Sequence, residues 1–140
     1  MPKRGTEAVL AAVPLFDGLS SRHIKRIGAI SQVVEFMPGA SIVKEGDPGD
    51  SFFVVVQGQA KVTVKGRTIR RLLPGDHFGE IALLDGGERT ATVSSETPMT
   101  LLEIKRTAFT KLVHEEPKIA LGILKGLARM VRQAERPLGA

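Results

Sequence analysis

The segment FGEIALLDGGERTATV, residues 78–93, places a glutamate and an arginine among residues apolar enough for a protein core. Gly79 stands before the glutamate, Glu80, and two further glycines stand shortly before the arginine, Arg89. A charged group that is removed from water must be compensated by a partner or a ligand. The segment therefore predicts either an ion pair that closes a loop or a binding site for a charged ligand.

The residue types in this segment match the parts of a nucleotide. If residues 78–84 turn into a short helix, its first backbone N–H groups are unpaired and suit a phosphate. Gly79 would let the ligand approach the backbone, and Arg89 would present a fork of donors to two phosphate oxygens. Glu80 is a pure acceptor when ionised and can take a ribose hydroxyl. The alternative is a Glu80–Arg89 salt bridge without a ligand.

Composition limits the class of protein. The 140 residues suit one domain, and 42% hydrophobic with 25% charged residues indicates a globular chain. The absence of cysteine excludes disulfides and thiolate metal sites. No apolar run approaches the roughly 20 residues of a membrane span, so we expect a cytoplasmic protein without a membrane partner. The net charge of +5 predicts scattered surface bases, with a basic docking face as the alternative.

Glycine-rich turns divide the middle of the chain, about residues 33–104, into short runs rich in Val, Ile, Phe and Thr. Short strands at such regular spacing predict an antiparallel sandwich or barrel. The clearest hairpin is AKVTVKGRTIRRL, with Lys65-Gly66 at its turn.

Helical patterns flank the strands, at about residues 6–31 and 106–136. Thr6 and Ser20 are the expected N-caps of the two N-terminal helices, and Pro117 suits the first turn of the last helix. Gly122 and Gly126 lie inside that helix, where glycine is unfavourable. They mark a place where another segment packs closely or where the helix bends.

Several motifs resemble the cyclic nucleotide-binding domain family. FGEIALL followed by ERTATV resembles its phosphate-binding cassette, whose pattern is FGE-(L/I)-A-L, a short loop and R-(T/A/S)-A. VKEGDPGDSFFVVVQGQAKV resembles the barrel hairpins, LLPGDHFGE the strand that leads into the cassette, and PLFDGLS the N-terminal helical segment. The resemblance covers about residues 13–135. It implies a mainly β fold over residues 1–140: an eight-stranded antiparallel β-roll, or jelly roll, with N-terminal helices and two C-terminal helices.

The resemblance also implies the roles of the cassette residues. Backbone amides around Glu80 and Ala82 would meet the phosphate, Arg89 would be its counter-charge, and Glu80 with Gly79 would hold the ribose 2′-hydroxyl. The implied ligand-binding residues are Phe78, Gly79, Glu80, Ile81, Ala82, Arg89, Thr90 and Ala91.

Two features bear on the base. Family members with threonine at the position of Thr90 include cGMP-selective kinases and bacterial cAMP binders, and we favour cAMP as the ligand, with cGMP as the alternative. The last helix, residues 118–136, holds no Ser, Thr or aromatic residue that would cap the base as in some relatives. The expected base lid is therefore formed by Leu127, Arg129, Met130 and Arg132.

The expected function is a cyclic nucleotide sensor that signals by movement of the C-terminal helix to an effector protein or within a homodimer. We expect no cofactor and no metal, because only His23, His77 and His114 are available as histidine ligands. We expect no catalysis, because the sequence holds no Walker loop, no G-x-S-x-G motif and no plausible catalytic triad. We expect no direct DNA binding, because the sequence ends after the long helix that a helix-turn-helix domain would follow. Two alternatives remain open. The chain is a scaffold for protein interaction or dimerisation without a ligand, or a regulatory fragment of a larger transcription factor or kinase.

Overall fold

The structure is a computed structural model that describes residues 3–135, with side chains from Gly5 onward. The chain divides into two compact units, a β unit of Ile30–Phe109 and a helical unit of the segments before and after it. No helix within residues 3–135 has both the length and the apolar character needed to cross a membrane. In chain order the elements are α1 (Lys3–Ala11), a 3-10 turn (Pro14–Phe16), α2 (Ser21–Ile30), β1 (Gln32–Phe36), β2 (Ser41–Val43), β3 (Ser51–Gln57), β4 (Ala60–Val64), β5 (Arg67–Leu72), β6 (His77–Phe78), α3 (Glu80–Asp85), β7 (Thr92–Ser95), β8 (Met99–Lys105), α4 (Arg106–Glu115) and α5 (Lys118–Glu135).

The β unit consists of two four-stranded antiparallel sheets, with strand orders β1-β8-β3-β6 and β2-β7-β4-β5. Both sheets contribute apolar side chains to one core, so each sheet buries the face that the other covers. The predicted eight-stranded β-roll is thereby confirmed. The core residues are Phe53, Val55, Met99 and Leu101 from the first sheet and Ala60, Val62, Leu72 and Val93 from the second.

The predicted β4–β5 hairpin is present with its turn at the expected residues. Lys65 and Gly66 have φ angles of 51° and 82°, and positive φ at both central positions is the geometry that matches the twist of a two-residue hairpin. β5 forms the edge of its sheet, and within it Arg70 pairs with Val62 of β4. Because Val62 points into the core, this register turns the Arg70 side of β5 toward the interior of the roll.

The helical unit corrects one capping prediction and confirms another. α1 begins at Lys3, so Thr6 lies inside the helix and is not its N-cap. Its side chain is buried, and its methyl group faces Gly28 of α2. Ser20 caps α2 as predicted, because its Oγ accepts the N–H of His23 at 3.2 Å.

α5 packs closely against the 3-10 turn within the helical unit. A Cβ at Gly126 would collide with the carbonyl oxygen of Leu15 and would lie 3.1 Å from that of Pro14. A Cβ at Gly122 would collide with the side chain of Leu19. The two glycines therefore permit close packing, which was one of their two predicted roles. Position 136 of the predicted last helix lies outside the described residues.

Candidate ligand-binding site

A cavity of about 530 Å³ lies in the β unit between α3 and the β4–β5 hairpin. Its volume falls in the range of about 300–1,000 Å³ that is typical of small-ligand sites. The structure brings all of the predicted cassette residues to its wall. These residues are Phe78, Gly79, Glu80, Ile81, Ala82, Arg89, Thr90 and Ala91.

α3 begins at a glycine that no other residue could replace without strain. Gly79 has φ 91° and ψ 13°, which lies in the left-handed region. A Cβ there would lie 2.7 Å from the carbonyl oxygen of Ser51 and 2.5 Å from Nη1 of Arg89. The N–H of Leu83 donates to the oxygen of Gly79 at 3.0 Å. The amides of residues 80–82 precede this bond, so they are free to donate to a ligand in the cavity.

Arg89 is held in the cavity wall by its backbone and by its side chain. Its backbone N–H donates to the backbone carbonyl oxygen of Asp47, and its own carbonyl oxygen accepts a hydrogen bond from the N–H of Gly46, each at 2.8 Å. Its Nη2 donates to the carbonyl oxygen of Ser51 at 2.7 Å. The residue is only 8% exposed. Hydrogen bonds thus hold both the backbone and the guanidinium of Arg89 in the cavity wall.

The charge of Arg89 remains available in this position. Burial lowers the pKa of Arg89, and the carboxylates of Asp50 and Glu103 partly offset that effect. Among the residues that the structure describes, the guanidinium forms no salt bridge. A desolvated cation without an ion-pair partner gains from an anionic ligand, which would restore a partner.

Glu80 pairs with a different residue from the one considered in the sequence. Its Oε2 lies 2.6 Å from Nδ1 of His77, and both side chains line the cavity. The alternative interpretation, a Glu80–Arg89 salt bridge, is therefore wrong. His77 was considered only as a metal ligand, and residues 3–135 contain no cluster of three or more metal-binding side chains. The H-x-x-E spacing at the start of a helix was the signal for the pair.

The opposite wall carries a residue that sequence reasoning missed. Arg70 lines the cavity, together with Ile69 and Leu72 of the same strand. Within the part of the chain that the structure describes, the guanidinium of Arg70 has no hydrogen-bond or ion-pair partner, whereas Arg71 pairs with Glu96 at 3.0 Å. Strand alternation from buried Leu72 was the available signal, since it places Arg70 on the inner side of β5.

The four predicted lid residues lie on α5, in the helical unit. Leu127 and Met130 are half-buried, and Arg129 and Arg132 are exposed. Nη1 of Arg129 lies 2.6 Å from Oδ2 of Asp17, so this arginine has a partner within its own unit. The lid therefore stays a prediction.

The fold and the cavity agree with a known family. The sequence model of the cyclic nucleotide-binding domain family matches residues 33–116, which is more than half of the chain. The chain belongs to this family.

The chain is similar to parts of proteins of different kinds. The regulatory subunit of cAMP-dependent protein kinase of Emericella nidulans is 32% identical over 96% of this chain and 31% of its own length. The cGMP-dependent protein kinase egl-4 of Caenorhabditis elegans is 36% identical over 92% of this chain and 18% of its own length. The solved N-terminal domain of a transcriptional regulator from Streptomyces coelicolor A3(2) is 28% identical, with a TM-score of 0.83, over 91% of this chain and 95% of that one. The chain thus spans less than a third of both kinase relatives.

Proposed function

We propose that this chain is a regulatory module that binds a 3′,5′-cyclic purine nucleotide in the cavity beside α3. The observation that carries the proposal is that Arg89 is buried in the cavity wall, forms no salt bridge with any described residue and lines the same cavity as residues 80–82 at the start of α3. A cyclic phosphodiester carries one negative charge, which one arginine and these amides neutralise. A terminal phosphate carries nearly two charges and would be under-compensated, so the site discriminates against 5′-AMP.

The sugar of this nucleotide is held by Glu80. Oε2 of the carboxylate is bonded to His77, while Oε1 has no hydrogen-bond partner among the described residues. An ionised carboxylate oxygen accepts only, so it suits the ribose 2′-hydroxyl as donor. Gly79 supports this role, because the backbone before Glu80 lies close to the cavity without a side chain in the way.

We propose cAMP as the first ligand to test. The support comes from the kinase regulatory subunit that matches 96% of the chain and is named for cAMP. In this arrangement the hydroxyl of Thr90 turns toward the phosphate and does not select the base.

A second candidate ligand, cGMP, is favoured by Arg70. An arginine fork pairs with O6 and N7 of guanine, and it has no equivalent pairing with adenine. Arg70 lines the cavity without a partner among the described residues, and Thr90 lines the same cavity. The hydroxyl oxygen of Thr90 would then accept a hydrogen bond from the guanine 2-amino group.

Signalling is proposed to occur through α5. This helix of 18 residues exposes three large apolar side chains, Leu121, Leu124 and Val131, each more than half exposed. We place an effector protein or a second copy of the chain on this face, and Leu127, Arg129, Met130 and Arg132 over the bound base. A ligand shifts such a helix only if it binds one helix position better than the other. In this proposal the two units act together as one cyclic nucleotide-binding domain.

Isothermal titration calorimetry with cAMP, cGMP and 5′-AMP tests the proposed function. Calorimetry suits this protein because it has no tryptophan to report binding. We expect saturable binding of at least one cyclic nucleotide and at least about tenfold weaker binding of 5′-AMP. If neither cAMP nor cGMP binds to folded protein that has been freed of bound nucleotide, the proposal is contradicted. That result would favour the scaffold alternative.

A further inference from the structure

We propose that His77 is a positioning residue for the ribose: its Nδ1–H holds one oxygen of Glu80 so that the other oxygen is presented to the 2′-hydroxyl. This inference rests on the proposed function, because it concerns how the same cavity recognises a cyclic nucleotide. It adds a residue that contacts Glu80 and acts on the ligand through that carboxylate.

The proposal assigns the donor role in this hydrogen bond to the histidine. Nδ1 of His77 and Oε2 of Glu80 are 2.6 Å apart, and an ionised carboxylate has no proton to donate. With an ionised Glu80, the tautomer that forms this bond carries its proton on Nδ1. Such charge-assisted hydrogen bonds are short and roughly twice as strong as neutral ones.

His77 is itself fixed by rigid parts of the roll. Its backbone belongs to β6, where it pairs with Val54 of β3. Its ring packs against the ring of Phe52, with centroids 5.8 Å apart and planes inclined by 44°. Phe52 is fully buried. The donor thus has a defined position from which it can orient a more flexible side chain.

Glu80 needs such a support because of where it stands. It is the first residue of α3 and directly follows Gly79, the residue with the greatest backbone freedom. A glutamate side chain that is free to rotate loses conformational entropy when a ligand fixes it, and that loss weakens binding. In the proposal, the hydrogen bond to His77 restricts the Glu80 side chain before the ligand binds. The ligand therefore meets an oriented acceptor, and its binding causes less loss of conformational entropy.

The competing explanation is that the His77–Glu80 bond only joins β6 to α3. The two explanations differ in one respect that can be measured. A positioning role acts through the ribose 2′-hydroxyl, whereas a structural role affects every ligand of the cavity alike.

The test compares two variants and two ligands by calorimetry. His77→Phe keeps an aromatic ring against Phe52 but removes the donor. His77→Asn loses the ring but keeps an N–H donor near the position of Nδ1. Each variant is titrated with the cyclic nucleotide that wild type binds, cAMP or cGMP, and with the 2′-deoxy form of the same nucleotide.

We expect wild type to bind the ribonucleotide about 10- to 150-fold more tightly than the 2′-deoxy form, as for a hydrogen bond to a charged group. His77→Phe should lose at least about fivefold in affinity for the ribonucleotide and less than about twofold for the 2′-deoxy form. His77→Asn should restore most of the discrimination.

Four results would overturn the inference. Equal losses for both ligands in His77→Phe would assign the bond a structural role, and no loss for either would show that Glu80 needs no support. If wild type binds neither ligand, both the proposed function and the inference about His77 are contradicted. If His77→Phe does not fold, His77→Ala is compared in wild-type and Glu80→Gln backgrounds. An equal loss in both backgrounds would also overturn the inference.

Discussion

Arg89 and Glu80 share a cavity without sharing a bond. The structure gives Arg89 the carbonyl oxygen of Ser51 and gives Glu80 the imidazole of His77. Each side chain therefore keeps unused hydrogen-bonding capacity that faces the cavity. Opposite charges that lie close together without pairing are expected where one ligand brings both an anionic group and a hydroxyl.

Arg70 allows the choice of base to be tested at a single residue. If its guanidinium reads guanine, Arg70→Ala should weaken cGMP binding by about 1–3 kcal/mol, or roughly 5- to 150-fold, and leave cAMP binding nearly unchanged. Arg71→Ala is the matched control, because it removes the neighbouring arginine that pairs with Glu96. Calorimetry with both nucleotides measures the ratio. An equal change for cAMP and cGMP in Arg70→Ala would rule out base reading by this residue.

Single residues also show how far sequence reasoning reaches. The cassette residues could be placed in one cavity beforehand, because their motif is contiguous and resembles a family pattern. The H-x-x-E spacing is compatible with the His77–Glu80 pair but does not fix it, because the contact also depends on how the end of β6 meets the start of α3. Arg70 was missed because it is one of many scattered bases and the cavity that it lines forms only when β5 faces α3.

At the scale of elements, glycines decide where segments approach each other. Gly49 is buried beneath the cassette, and a Cβ there would collide with Cβ of Ala82 and lie 2.8 Å from the carbonyl oxygen of Gly87. The segment before β3 thus packs closely against both α3 and the loop that carries Arg89. In the helical unit, Gly126 has the same function for α5 and the 3-10 turn.

Two glycine-to-alanine changes in helices should have opposite effects on stability. Gly126→Ala would drive a methyl group into the carbonyl oxygens of Leu15 and Pro14, which cannot move freely, so we expect a loss of about 1–3 kcal/mol. Gly28→Ala meets only side-chain carbons at 3.7 Å or more, so we expect a gain of about 0.5–1 kcal/mol. Urea unfolding measures both. A neutral Gly126→Ala would contradict the close packing of α5.

Elements with a strong local signal were predicted well, and those set by packing were not. The Lys65-Gly66 turn and the Ser20 cap depend on neighbouring residues alone, and both are present as predicted. The Thr6 cap is wrong because α1 extends one turn further toward the N-terminus. The Thr6 side chain is buried against α2, and local capping rules do not take such a contact into account.

For the whole molecule, the proposal requires a ligand in the β unit to change the behaviour of α5. Hydrogen–deuterium exchange with and without the bound cyclic nucleotide measures this coupling. We expect slower exchange in residues 79–91, from the ligand itself, and in residues 118–135, from closure of the lid. 5′-AMP at the same concentration is the control and should protect neither segment. Protection confined to residues 79–91 would show that α5 is not the lid.

The central claim is that Arg89 binds the phosphodiester of a cyclic nucleotide, and titration of Arg89 variants tests it most directly. Arg89→Ala should lower the affinity by about 2–5 kcal/mol, or roughly 30- to several-thousand-fold, because it leaves a desolvated anion without its counter-charge. Arg89→Lys should lose less, because lysine keeps the charge but not the planar fork. Arg71→Ala is the control, and thermal unfolding checks that each variant is folded. If the Arg89→Ala variant is folded and binds the cyclic nucleotide as tightly as wild type, Arg89 does not bind the phosphodiester and the central claim is contradicted.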